Sequence, residues 1–189
     1  MDFLDMRFLS FIGIKKTPEA PWKKYYKKED MNINVKNENI YQFVKNKIEK
    51  NNCYDNIAIN YYGTRISYKN LFDYIDLCSE KFLMLGVKKY DIVTIISANI
   101  PEAVISIFAL NKIGAVANLL HPMLSENEIK NCLNLYKTKY LIGMDVGLSK
   151  INKIIDDTKV RKVIVISPST SMRKIRKFIK SNYVKTKRR

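Results

Sequence analysis

From Asp91 onward the chain alternates short apolar, β-branched runs with amphipathic stretches, joined by connections of only a few residues. Few folds accommodate that pattern. Asp91–Ser97 reads as a buried strand, and Pro101–Ile113 as a helix with proline in its first turn and Gly114 just past its end. Ala115–Leu119 is a second strand. Ser125-Glu126-Asn127-Glu128 has the form of a capping box, opening a helix that carries Ile129, Leu133 and Tyr136. Tyr140–Met144 is a third strand, Leu148–Asp156 a helix and Val163–Ile166 a fourth strand. Strands that are apolar throughout must be covered on both faces, and helical crossovers between them close right-handed onto a parallel sheet. The fold class is therefore α/β, a mostly parallel sheet flanked by helices.

Upstream, Ile40, Phe43, Val44 and Ile48 recur at helical spacing and predict a helix over Glu38–Lys50 with those residues inward. Ile57–Tyr62 and Arg65–Tyr68 are β-prone runs separated by Gly63-Thr64, which predicts a hairpin near residues 57–68. Leu71, Ile75, Cys78, Phe82 and Leu85 mark one face of a long helix, and Gly86 stands where a helix end favours a left-handed residue. Three regions result: an N-terminal helix and polar lead-in (1–36), an α/β body (37–168) and a basic tail (169–189).

The net charge of +16 is unevenly distributed. Residues 51–158 carry equal numbers of acids and bases, whereas no acid follows Asp157. Clustered Lys and Arg gain affinity for phosphates by releasing counterions, so a stand-alone basic module for nucleic acid or anionic membrane is one reading. The tail has only Phe178 and Tyr183 as aromatics, too few for a base-stacking platform, and Ile175, Phe178 and Ile179 share a helical face. A solvated or body-packed segment with no specific nucleic-acid partner is the expectation. Cys53, Cys78 and Cys132 form no CxxC and cannot all pair, which points to a reducing, cytoplasmic setting. Residues 1–14 are apolar but interrupted by Asp2, Asp5 and Arg7, so they read as a peripheral membrane or partner contact rather than a signal peptide.

Several chemistries are excluded. No GxGxxG, GxxxxGK[ST] or GxSxG occurs, and the single histidine rules out a two-His metal site. That residue, His121, follows a predicted strand and precedes Pro122, placing it at a strand's carboxyl end, where open α/β sheets bind ligands. It is the one ligand-proximal candidate, and a local hydrogen-bonding role is the commoner use of such a residue.

Five ordered blocks carry a resemblance. Ser67-Tyr68-Lys69-Asn70-Leu71 is similar to T-Y-x-E-L, and Leu85-Gly86-Val87-Lys88-Lys89-Tyr90-Asp91-Ile92-Val93 to L-G-V-x-x-G-D-x-V, with Tyr90 where glycine is usual. Asn99-Ile100-Pro101-Glu102 is similar to N-x-P-E, Lys112-Ile113-Gly114-Ala115-Val116 to K-x-G-A-V, and His121-Pro122 with Ser125–Ile129 to the N/H-P…E-I segment. Together they resemble the N-terminal subdomain of the AMP-forming, adenylate-forming synthetases. His121-Pro122 and Ser167–Met172 lean toward the fatty-acyl-CoA ligases. The resemblance implies an enzyme that activates a carboxylic acid with ATP and Mg²⁺ and passes the acyl group to coenzyme A. It also implies that the Ser/Thr/Gly-rich loop ending in Pro-Lys, the Y-G-x-T-E motif, the ribose-binding Asp and the C-terminal Lys stand further along. None occurs here. The expectation is an N-terminal fragment that has no catalytic residue, binds no cofactor by itself, is inactive alone and tends to self-associate through uncovered apolar surface.

Overall fold

The computed structural model describes residues 21–27, 37–169 and 184–186. The chain divides into two compact units, Met1–Asn37 and Glu38–Arg189. In the first, Pro21–Tyr25 forms a 3-10 turn with Trp22 and Tyr25 exposed. The remaining elements belong to the second.

Helix α1 (Ile40–Lys50) starts at Asn39, whose side chain accepts the Gln42 N–H. Its inward face matches the predicted one in part: Val44 and Ile48 pack against the core and Tyr41 is 4% exposed, while Ile40 and Phe43 face outward. Strands β1 (Ile57–Tyr61) and β2 (Thr64–Ser67) form the expected antiparallel hairpin. Its turn is Tyr62-Gly63, not Gly63-Thr64, with φ of 46° and 81°. Two positive φ values in succession match the right-handed twist of the flanking strands. Helix α2 (Tyr68–Met84) follows, with Ser67 accepting the Asn70 N–H at its start.

The body is a five-stranded sheet in the order β4-β3-β5-β6-β7. Strands β3 (Ile92–Ile96), β4 (Val116–Leu120), β5 (Tyr140–Met144) and β6 (Lys162–Ile166) are parallel. The edge strand β7 (Val184–Thr186), within the predicted basic tail, runs antiparallel to β6. Helix α3 (Pro101–Lys112) joins β3 to β4, α4 (Glu126–Leu135) joins β4 to β5, and α5 (Leu148–Ile154) joins β5 to β6.

Right-handed crossovers explain the layering. The step from β3 to β4 runs one way along the sheet and the later steps run the other way, so α3 and α4 fall on opposite faces. Val93, Ile95, Ile142, Met144, Ile164 and Ile166 pack beneath α2 and α3, with α1 and the hairpin completing that core. Ile96, Leu141 and Val163 pack on the other face against Ile129 and Leu133 of α4 and Ile151 and Ile154 of α5. Tyr136, expected inward, caps α4 and is exposed.

Helices α1 to α4 end alike. Asn52, Gly86, Gly114 and Lys137 each have positive φ, and each donates with its successor to carbonyls in the last helical turn. This closure satisfies the orphan carbonyls and turns the chain back into the sheet. The Ile175–Ile179 face lies outside the described residues.

Candidate functional site

In an open parallel sheet, ligands bind outside the carboxyl ends of the strands, where the strand order reverses. Here the reversal lies between β3 and β5. The loops at that edge are Ser97–Ile100 after β3, His121–Ser125 after β4, Asp145–Gly147 after β5 and Ser167–Ser169 after β6.

The loops at this edge are tied together locally. The Ala98 N–H points at the Met144 sulfur, 3.4 Å away, and the Ser97 hydroxyl donates to the Ala98 carbonyl at 2.8 Å. Asp145 accepts the Val146 N–H at 2.7 Å, and the Ser167 and Ser169 hydroxyls share a hydrogen bond of 2.8 Å. Helix α3 opens here on Ile100, with no side-chain cap.

His121 is exposed one residue past Leu120, which pairs with Ile96, so it stands level with the crevice but one strand to the side. Its Nδ1 accepts the Met123 N–H at 3.2 Å. Accepting at Nδ1 places the neutral ring's proton on Nε2. Lys150 on α5 steadies this loop by donating to the Leu124 carbonyl at 2.8 Å. Glu128 accepts both the N–H and the hydroxyl of Ser125, and those bonds hold its carboxyl below the ordinary range. The capping box is thus complete, and Ile129 and Leu133 are buried behind it.

The described residues of these loops do not by themselves suit a nucleoside triphosphate or its metal. Among them stands no Lys or Arg. Their single carboxylate, Asp145, is engaged with the next residue's N–H. Among the described residues no group of three or more His, Cys, Asp or Glu is placed to hold a metal ion. Nor is any described helix long and apolar enough to cross a membrane.

The sequence pattern of AMP-binding enzymes matches residues 46–187, which include the hairpin, every helix after α1 and the whole sheet. The chain belongs to the AMP-binding enzyme family. It is 33% identical over 92 residues to the acetyl-coenzyme A synthetase of Xylella fastidiosa strain Temecula1, a match covering 49% of this chain and 14% of that protein. In three dimensions it is similar to a long-chain-fatty-acid-CoA ligase from Archaeoglobus fulgidus, with a TM-score of 0.67 at 15% identity over 80% of this chain and 31% of the other. It is also similar to the anthranilate CoA ligase AuaEII in complex with anthranoyl-AMP, with a TM-score of 0.66 at 17% identity over 83% of this chain and 29% of the ligase. The structural likenesses establish the fold. The chain spans about a seventh of the matched synthetase's length and under a third of either ligase.

Within this AMP-binding fold the five blocks have physical roles. Gly86 and Gly114 are left-handed closures, and Tyr90 keeps a φ of 69° where the family uses glycine. The Tyr90 N–H bonds to the Gly114 carbonyl at 2.8 Å, which couples two blocks directly. Lys112 donates to Asp76 on α2 at 2.8 Å and lies 5.4 Å from the centre of the Tyr41 ring.

Sequence reasoning missed this last cluster. Tyr41 donates its hydroxyl to Asp76 at 3.0 Å, and its N–H bonds to the Asn111 side chain at 2.9 Å. Burial of Asp76 works to raise its pKa, but bonds from Lys112 and Tyr41 and the charges of Lys112 and Lys45 hold the carboxyl below its ordinary range. A second missed group lies beneath the sheet, where buried Thr94 and Thr138 share a 2.8 Å hydrogen bond and Asn118 donates to Thr94 at 3.1 Å.

Proposed function

We propose that this chain contributes the opening, structural part of the adenylating domain in an AMP-forming acid–CoA ligase. In the whole reaction a carboxylate oxygen attacks the α-phosphate of ATP, giving acyl-AMP and pyrophosphate. The thiol of coenzyme A then takes the acyl group and releases AMP. One observation carries the reading: a match to the AMP-binding family across residues 46–187, in a chain spanning about a seventh of a matched synthetase.

On this reading the chain's residues form a wall. The sheet and the first turn of α3 place the loops after β3 and β5, against which acid and nucleotide sit while residues elsewhere grip the phosphates. His121 shapes the loop beside that wall. The sequence relatives are acetyl-coenzyme A synthetases, so acetate is the first acid to test. Three free thiols support a reducing, cytoplasmic setting. The alternative of a stand-alone basic module has no comparable support.

The test is a chimera in which this chain replaces the matching segment of the Xylella synthetase, assayed by ATP–pyrophosphate exchange. Exchange with acetate is expected from the chimera, and none from the isolated chain with acids from acetate to palmitate. Turnover by the isolated chain would refute a purely structural role. A folded chimera without exchange would remove the proposed equivalence.

A further inference from the structure

The amino edge of the sheet, opposite the crevice, has a surface chemistry that ligation leaves unexplained. Three loops arrive there from widely separated parts of the sequence. One brings Lys88 and Lys89, the next Lys137 and Lys139, and the third Lys159 and Arg161, all exposed. They form a single surface. The Arg161 N–H donates to the Lys139 carbonyl at 2.8 Å, the Tyr140 hydroxyl to the Gly86 carbonyl at 2.8 Å, and Lys139 lies 3.5 Å from Asp91. The carboxylates at this end are Asp91, already with Lys139, and Asp156 and Asp157 in the turn before β6. The edge therefore carries a net positive charge.

Large apolar side chains stand at the same edge. Met84, the last residue of α2, is 86% exposed; Leu135, the last of α4, is 72% exposed; Tyr90, beside Lys89, is 74% exposed. The Lys89 ammonium lies 5.0 Å from the centre of the Tyr90 ring. Protruding thioether, aliphatic and phenol groups among lysines gain nothing from a phosphodiester backbone. They gain from a lipid interface, where apolar groups enter the headgroup boundary and lysines meet anionic headgroups.

We propose that the amino edge of the sheet docks on anionic phospholipid bilayers. Lys88, Lys89 and Lys137 supply charge, and Met84, Leu135 and Tyr90 supply apolar anchorage. The geometry turns the crevice at the opposite end of the strands away from the lipid. Docking here requires neither residues 1–14 nor ATP nor coenzyme A.

The full chain would be sedimented with phosphatidylserine-rich vesicles and with pure phosphatidylcholine vesicles. Binding to the first only, weakened by salt, is expected. Lys88→Gln/Lys89→Gln/Lys137→Gln should weaken partitioning on the order of 100-fold, from roughly fivefold per surface lysine. Met84→Ser/Leu135→Ser should weaken it at low and high salt alike. All five positions are exposed, and an unchanged circular dichroism spectrum confirms the fold. Unchanged partitioning of the lysine variant would assign binding to another part of the chain and overturn the proposal. So would equal binding to phosphatidylcholine, or a duplex DNA complex that the same variants weaken when vesicles do not bind.

Discussion

Replacing Tyr41 with Phe removes one oxygen from the clamp that joins α1 to α2 and α3. The lost contact is the 3.0 Å bond to Asp76. A hydroxyl donating to a carboxylate contributes up to about 3 kcal/mol when the acceptor is left unsatisfied. Asp76 keeps its 2.8 Å bond from Lys112, and its side chain is 44% exposed, so water can replace the phenol. The expected cost at neutral pH is therefore about 0.5–1.5 kcal/mol, with the ring still packed edge-on against Phe72. The pH dependence distinguishes this bond from a packing defect. Burial, followed by the bond to Asp76 and its charge, pushes the phenol pKa above its ordinary value of 10.0. A folded-state pKa that is raised gives stability fully present below pH 10 and lost as pH rises beyond it. Tyr41→Phe abolishes that loss, so the gap between wild type and variant should shrink above pH 10. Urea midpoints measured from pH 7 to 11 test this. Equal midpoints at neutral pH, or a constant gap across the range, would refute the clamp as described.

Gly114→Ala should destabilise by about 1–2 kcal/mol, the cost of a left-handed L-residue, because φ here is 75°. A Cβ would also meet Lys89 Cγ at 2.9 Å, so adding Lys89→Ala should recover only the steric part, and full recovery would exclude backbone strain. At this size the loss should appear as roughly 2–4 °C of melting temperature per kcal/mol. Tyr90→Gly should run the other way: relief of about 1–2 kcal/mol of left-handed strain is offset by about 0.5–1 kcal/mol of unfolded-state entropy. The net is expected between neutral and about 1.5 kcal/mol stabilising, and a loss greater than about 1 kcal/mol in urea unfolding would contradict the strain argument.

What the sequence made legible follows from the range of the forces involved. Tyr140–Met144 has the predicted limits because a short apolar run buried on both faces admits little else. The capping box, Gly86 and Gly114 were readable because helix closure is decided within six residues. The face of α1 was readable only in part: Val44 and Ile48 pack on the core, Ile40 and Phe43 do not. Its inward residue is set by Asp76, Asn111 and Lys112, which lie 35 to 71 positions away in the chain. Periodicity favoured Ile40 and Phe43 on hydrophobicity alone, whereas a tyrosine with three polar partners occupies the core. The placement of β7 beside β6 was hidden for the same reason, since a three-residue run acquires its meaning from the strand it meets. At the site, His121 was placed correctly at a strand's carboxyl end, but only the strand order shows it one strand away from the reversal.

That strand order also accounts for how charge is divided between the two ends of the sheet. Every βα loop opens at the carboxyl edge and every αβ loop at the amino edge, so the two ends draw on different parts of the sequence. Among the described residues, the loops at the carboxyl edge carry small hydroxyls, Asn99, His121 and Asp145, and no cation. The αβ loops carry the lysines and arginine, together with helix-terminal Met84 and Leu135. A triphosphate needs fixed positive charge or a metal at the atoms where negative charge develops, and the described residues of the carboxyl edge supply neither. Cations at the far end of five-residue strands stand about 15 Å away, beyond direct contact and largely screened. The described carboxyl edge thus suits the proposed role of shape and backbone placement in ligation, and the charge of the amino edge remains for the proposed lipid surface.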